Sequence, residues 1–248
     1  EKLATPSGKL EVMPLGIAFD KVHFAYNPGD PVLRNISFSL DSGKTLGLLG
    51  RTGSGKTTIT RLLFRFYDIQ RGQIRIGDQN IRDIFLDDLR QHVGLVTQDV
   101  QLFNASVRDN LTLFRPDVPD KKIVAILDDL GLGAWHASLS EGLETELSAS
   151  SLSAGEAQLL AFARVFLKDP SLVILDEPSS RLDPATEQNI NRTGIIIAHR
   201  LETVERVDNI LILDDGQVGE FGLRTDLVAD PNSQFSRLLN TGLEELIA

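Results

Sequence analysis

The sequence contains no cysteine. That excludes disulfides and thiolate metal sites, and it fits a reducing compartment without requiring one, because removal of cysteines by engineering would look the same. Also missing is any apolar run near the roughly 20 residues that cross a bilayer. The amino terminus shows no basic-then-apolar leader pattern, so the expectation is a soluble chain with no direct membrane span. Positive charge is scarce: 25 lysines and arginines stand against 35 aspartates and glutamates, a formal net charge of -10. No basic stripe is found, which argues against broad nucleic-acid binding, while an acidic balance alone names no partner. Internal repeats and low-complexity tracts are absent as well. What is present, 42% apolar residues in a chain of 248, suffices to bury a core as one α/β domain with a smaller subdomain and is unlike a disordered chain.

Residues 1–16, with Pro6, Gly8, Pro14 and Gly16, read as a linker or arm, followed by the domain proper at 17–248. Alternating segments Ile17–Tyr26 and Leu33–Leu40 flank the turn-rich Asn27-Pro28-Gly29-Asp30-Pro31 and predict strands around a loop. Thr45–Leu49 predicts a third strand. It runs into a glycine loop, after which Lys56–Tyr67 carries apolar residues at helical spacing. The stretch from about 84 to 167 holds amphipathic segments, Pro119–Gly131 among them, and is expected to form a helical subdomain. Strand signals resume at Leu172–Leu175, Ile195–Ala198, Ile210–Leu213 and Gln217–Phe221, and helical patterns finish the chain.

The chemistry centres on Gly50-Arg51-Thr52-Gly53-Ser54-Gly55-Lys56-Thr57, a phosphate loop with full spacing between a predicted strand and a predicted helix. Its glycines allow a tight turn whose amides converge on phosphate oxygens, while the helix behind it presents its positive end. Lys56 is expected to reach the β- and γ-phosphates of ATP and the Thr57 hydroxyl to ligate Mg²⁺, and Thr58 is counted with them among the nucleotide-binding residues. The apolar run Leu172–Leu175 ends in Asp176-Glu177, carboxylates at the carboxyl end of a buried strand. Asp176 would hold Mg²⁺ through its water shell and Glu177 would polarise the attacking water; alone, the pair reads equally well as an acidic turn. His199, after Ile195–Ala198, is placed to contact the γ-phosphate and the catalytic water, although a strand-terminal histidine by itself is more often structural. Gln98 ends another strand, and its amide can bind both Mg²⁺ and water.

With Gln98, Leu152-Ser153-Ala154-Gly155-Glu156, Asp176-Glu177, Ser180-Arg181-Leu182-Asp183 and His199 in this order, the chain resembles the ATP-binding-cassette ATPases over nearly its whole length. The resemblance implies a P-loop NTPase core with a mostly parallel sheet, an N-terminal antiparallel β subdomain and an inserted α-helical subdomain. It implies that Tyr26 stacks on adenine, where the alternative is an exposed strand-end aromatic. It further implies that Gln98 senses the transport partner and that Ser180 to Asp183 crosses between subunits. Ser153 and Gly155, at a helix start able to offer a hydroxyl, an N–H and a dipole to an anion, would meet the γ-phosphate held by the opposite subunit, with Asp183 nearby. Apart from the resemblance, Ser153 and Glu156 form a helix capping box. Within the family, Gly94 to Leu111 and Leu143-Glu144-Thr145-Glu146 look like the exporter type, the latter standing where exporters touch coupling helices. The implied partners are a second nucleotide-binding domain, identical or not, and transmembrane domains, at the cytoplasmic face of a membrane. In such proteins the substrate contacts lie in the membrane helices.

Two departures stand out. Ala154 and Glu156 occupy positions where the usual signature has glycine and glutamine, so a methyl and a negative charge enter a phosphate site; an asymmetric cassette is the expected partner. Only ten residues separate Asp183 from Gly194, cramped for a crossover, and Ser148 to Ser151 is short before the signature. The spacing reads as a chain lacking residues near Ile190 and Asn191 rather than as a shortened crossover. A soluble cassette ATPase of translation or DNA repair is the main rival. Acidic charge disfavours it, and the interval from Lys56 to Leu152 is too short for a long coiled coil. A module that binds ATP without cleaving it is the other rival, and Glu177 speaks against that.

Overall fold

A computed structural model describes residues 8–10, 14–97, 100–148, 152–176, 192–198 and 200–241. Gln98, Glu177, Ser180 to Asp183 and His199 lie outside these, as do residues 149–151 and 184–191 of the two short-spacing junctions.

Strands β1 (Ile17–Ala25), β2 (Pro31–Leu40), β3 (Thr45–Gly50), β4 (Arg71–Ile76) and β5 (Gln79–Asn80) surround helix α1 (Lys56–Leu63). Helix α2 (Leu86–His92) leads into β6 (Val93–Val96), then β7 (Ala105–Ser106), α3 (Val107–Thr112), α4 (Asp120–Asp129), α5 (Gly133–Ala137), β8 (Glu146–Leu147) and α6 (Ala154–Lys168). The chain continues through β9 (Leu172–Asp176), β10 (Thr193–Ile197), β11 (Asn209–Asp214), β12 (Gln217–Leu223), α7 (Arg224–Ala229) and α8 (Gln234–Thr241).

An antiparallel sheet of order β2-β1-β4-β5 packs against a six-stranded sheet of order β12-β11-β3-β10-β9-β6, which is parallel except for the β11–β12 hairpin. The near-continuous apolar runs of β9, β10 and β11 follow from burial on both faces. Successive side chains alternate between two cores. Leu46, Leu48, Leu172, Ile174, Ile195, Ile197, Leu211 and Leu213 face the antiparallel sheet and α1. Leu49, Val173, Leu175, Ile196, Ile210 and Ile212 face the other layer, with Phe162 of α6 and Phe235 of α8 fully buried among them.

Two local results differ from the sequence expectation. The alternation Ile74 and Ile76 with the turn at Gly77-Asp78 makes the hairpin β4–β5, which completes the antiparallel sheet. Helix α1 stops at Leu63, not near Tyr67, because Arg65 turns left-handed (φ 48°) and its guanidinium bonds Asp68 and the carbonyls of Ile81, Arg82 and Ile84. The strand expected before Gln98 is present as β6, Val93–Val96, an edge strand of the parallel sheet in register with Leu172–Leu175.

The helical layer is knitted by one buried amide. Asn110 Nδ2 donates to the carbonyls of Phe103, Ala105 and Ser106 at 3.0 to 3.1 Å, and its Oδ1 accepts from Phe103 N and Arg164 Nη2, both at 2.9 Å. Each of these groups left unpaired would cost about 1–3 kcal/mol, so the loop after β6 is held firmly to α3 and α6.

Candidate active site

β3 is a central strand, flanked by β10 and β11, and its carboxyl end delivers the phosphate loop at the edge where ligands of open α/β sheets gather. The register puts Leu48 beside Ile197, and Ile197 beside Asp176, so β10 lies between the loop strand and the strand carrying the carboxylate. Asp176, half-buried, thus ends level with the loop, one strand removed.

The loop itself depends on glycine geometry. Gly50 has φ 145°, and a Cβ there would come within 2.4 Å of Leu213 O and 2.6 Å of Ser54 Oγ. Gly55 (φ 107°) caps α1, and a Cβ would meet Leu33 Cδ2 at 2.5 Å. Ser54 N closes a turn on Arg51 O at 3.1 Å, while its carbonyl accepts from Gly216 N, tying the loop to the β11–β12 hairpin. Arg51, Thr52, Gly53 and Thr57 are exposed; Ser54, Gly55, Lys56 and Thr58 are buried.

Lys56 curls over its own loop: Nζ donates to Gly50 O at 2.5 Å and to Arg51 O at 2.9 Å. Ser54 Oγ is buried without a hydrogen-bond partner. A phosphate oxygen would satisfy that hydroxyl, and the loop's donor set, Lys56 Nζ included, suits a polyphosphate. For a magnesium ion the described residues supply the Thr57 hydroxyl and the Asp176 carboxylate. Mg²⁺ takes few protein ligands and completes its shell with water and phosphate, so two such donors fit it; no cluster of three acidic or imidazole groups occurs among the described residues.

Tyr26, just beyond β1, is partly exposed and packs edge-on against Phe24 and Tyr67. Its hydroxyl lies 3.1 Å from Thr58 Oγ1 and accepts from Arg61 Nη1 at 3.1 Å. Sequence reading singled out Tyr26 and Thr58 but missed Arg61. The available signal was the i, i+3 spacing of Thr58 and Arg61 on one helix face.

The Ser153–Glu156 capping box forms at the start of α6. Glu156 Oε2 accepts from Ser153 N at 2.8 Å and from Ser153 Oγ at 2.7 Å, and these hydrogen bonds hold the carboxyl below its ordinary pKa. Ser153 and Ala154 are exposed, and Gly155 and Glu156 half-exposed. The two segments that look exporter-like lie side by side: Val107 N donates to Thr145 O, β7 pairs with β8, and Arg108 bridges Glu144 and Asp120 at 2.6 and 2.8 Å.

A parallel sheet whose central strand feeds a glycine loop and helix, with an antiparallel sheet on one face and helices on the other, defines a phosphate-loop nucleotide-binding domain. The ABC transporter family profile matches residues 33–180. The chain is 41% identical over 237 residues to the mitochondrial iron-sulfur clusters transporter atm1 of Aspergillus fumigatus, covering 90% of this chain and 32% of that protein. Against the mitochondrial iron-sulfur clusters transporter ABCB7 of Homo sapiens it is 41% identical over 236 residues, covering 91% and 31%. A bacterial Atm1-family ABC exporter with ATP bound superposes with a TM-score of 0.84 at 34% identity, over 95% of this chain and 43% of that one. The chain belongs to the ABC transporter family. It spans about a third of the length of these curated relatives.

Proposed function

We propose that this chain is the ATP-binding and ATP-hydrolysing domain of an Atm1-type exporter, working by ATP-driven head-to-tail pairing with a second cassette and by release on hydrolysis. The observation that carries the reading is the glycine cradle at the end of β3, with the Lys56 ammonium folded over the loop and the Ser54 hydroxyl buried without a hydrogen-bond partner among the described residues. Gly50 to Gly55 would offer backbone amides to the phosphates, Lys56 would neutralise the β- and γ-phosphates, and Thr57, Asp176 and Gln98 would take the magnesium ion, which screens the developing charge. Glu177 would polarise the attacking water, His199 would hold water and γ-phosphate in line, and Tyr26 would stack on adenine. From the opposite chain, Ser153, Gly155 and Asp183 would close the site.

Transmembrane domains would complete the transporter, with the chain at the cytoplasmic face of the membrane. Exposed Phe103 and Leu113 border a groove of about 500 Å³ beside β6 and α6, with exposed Phe114 packed edge-on against Phe103, and an apolar rim of this kind supports docking of another domain there. The Glu156 carboxylate on Ser153 favours a natural partner with a different signature, since this chain offers its neighbour's γ-phosphate a hydroxyl already claimed by an anion.

Phosphate release should be followed against protein concentration, with Mg²⁺ and excess ATP, for the wild type and Glu177→Gln. Turnover rising faster than linearly and lost in the variant is the expected result. Turnover that is strictly linear, or retained by Glu177→Gln, overturns the pairing or the assignment of Glu177 respectively.

A further inference from the structure

The aromatic residue expected against the base is not a freely rotating side chain. Two hydrogen bonds converge on the Tyr26 hydroxyl, one from Arg61 Nη1 and one shared with Thr58 Oγ1, each 3.1 Å long. The Arg61 guanidinium carbon stands 5.8 Å from the Tyr26 ring centroid, within cation–π range. Phe24 and Tyr67 meet the ring at 86° to its plane, 4.8 and 5.0 Å away. Thr58 and Arg61 share one face of α1, and Thr58 is only two residues beyond Lys56. The phenol is therefore tied to the same helical turn that anchors the phosphate loop.

We propose that Arg61 is a positioning residue for the nucleotide base: together with Thr58 it locks the Tyr26 ring to the phosphate helix, so that base platform and phosphate cradle are presented as one rigid unit. This rests on the reading that Tyr26 stacks on adenine. Without the lock the ring would rotate about its side-chain bonds, and each binding event would have to restore its orientation. Immobilising one such side chain, with loss of one charge-assisted hydrogen bond, corresponds to about three- to tenfold in affinity. The effect should fall on nucleotides and not on inorganic triphosphate, which has no base to stack. Arg61 is exposed, so its replacement leaves the core intact.

The test is calorimetric titration of the 248-residue chain with MgATP and with magnesium tripolyphosphate, for wild type, Tyr26→Ala, Tyr26→Phe, Arg61→Leu and Arg61→Lys. Expected is a three- to tenfold weaker Kd for ATP in Arg61→Leu and Tyr26→Phe, a larger loss in Tyr26→Ala, partial recovery in Arg61→Lys, and unchanged tripolyphosphate binding throughout. If Tyr26→Ala weakens ATP while Arg61→Leu does not, the positioning role is wrong and the stacking reading stands. If Tyr26→Ala leaves ATP binding unchanged, the stacking reading fails and the inference with it. Equal weakening of ATP and tripolyphosphate by Arg61→Leu overturns the inference too, because Arg61 would then act on the phosphates.

Discussion

Replacing Glu156 by glutamine isolates a single charge at the start of α6. Glutamine keeps the capping box, since its amide oxygen can accept from Ser153 N as the carboxylate does, so helix and fold should be preserved. What changes is the anion 2.7 Å from Ser153 Oγ, the hydroxyl expected to meet the partner's γ-phosphate. Two anions sharing one hydroxyl stand about 5 Å apart. At an effective dielectric of about 40–80, suited to a half-exposed site, their repulsion is about 0.8–1.7 kcal/mol per unit charge. That corresponds to about four- to sixteenfold in the ATP concentration needed for pairing. Sedimentation of the wild type and Glu156→Gln across an ATP series, both in a Glu177→Gln background, should show the midpoint shifted down by that factor. Coincident midpoints, with both proteins pairing, would refute the argument that Glu156 weakens the donated half-site.

Two further perturbations probe the cradle and its support. Gly50→Ala should lose more stability than Gly53→Ala in urea titrations, because a Cβ at 50 collides with Leu213 O, whereas at Gly53 (φ 83°) nothing lies within 4 Å and only left-handed strain of about 1–2 kcal/mol is added; the opposite order would show that the loop is not held against β11 as described. Asp208 joins the start of β11 to the start of β3 through Lys44 Nζ at 2.9 Å, Thr45 N at 2.8 Å and Thr45 Oγ1 at 2.9 Å. Burial alone would raise its pKa, but the hydrogen bonds from Lys44 and Thr45 outweigh that and lower it. A carboxyl whose folded pKa is depressed contributes stability above its unfolded value, and that contribution is lost as pH falls below about 4. Asp208→Asn should therefore flatten the acid limb of thermal stability below about pH 4 relative to wild type, and identical limbs would count against the network.

The sequence by itself determined the local units. The strand–loop–helix around Gly50 to Lys56, the apolar strands before Asp176 and His199, and the capping box at Ser153 are all contained within a few residues, where spacing and side-chain chemistry act directly on the backbone. The β4–β5 hairpin was equally local and legible in its alternation, but Arg71, Gly72 and Gln73 weaken the apolar signal until β1 supplies the partner. What only the tertiary structure decided were relations between distant segments. Strand order set β10 between the loop strand and the Asp176 strand; sheet pairing put Val93–Val96 at the edge beside Leu172–Leu175; the carbonyls of residues 81, 82 and 84 captured Arg65 and ended α1 early. The Tyr26–Thr58–Arg61 lock belongs to the same class. Periodicity put Thr58 and Arg61 on one face of a helix, but only the packing of β1 against α1 brought a phenol from more than thirty residues away to meet them.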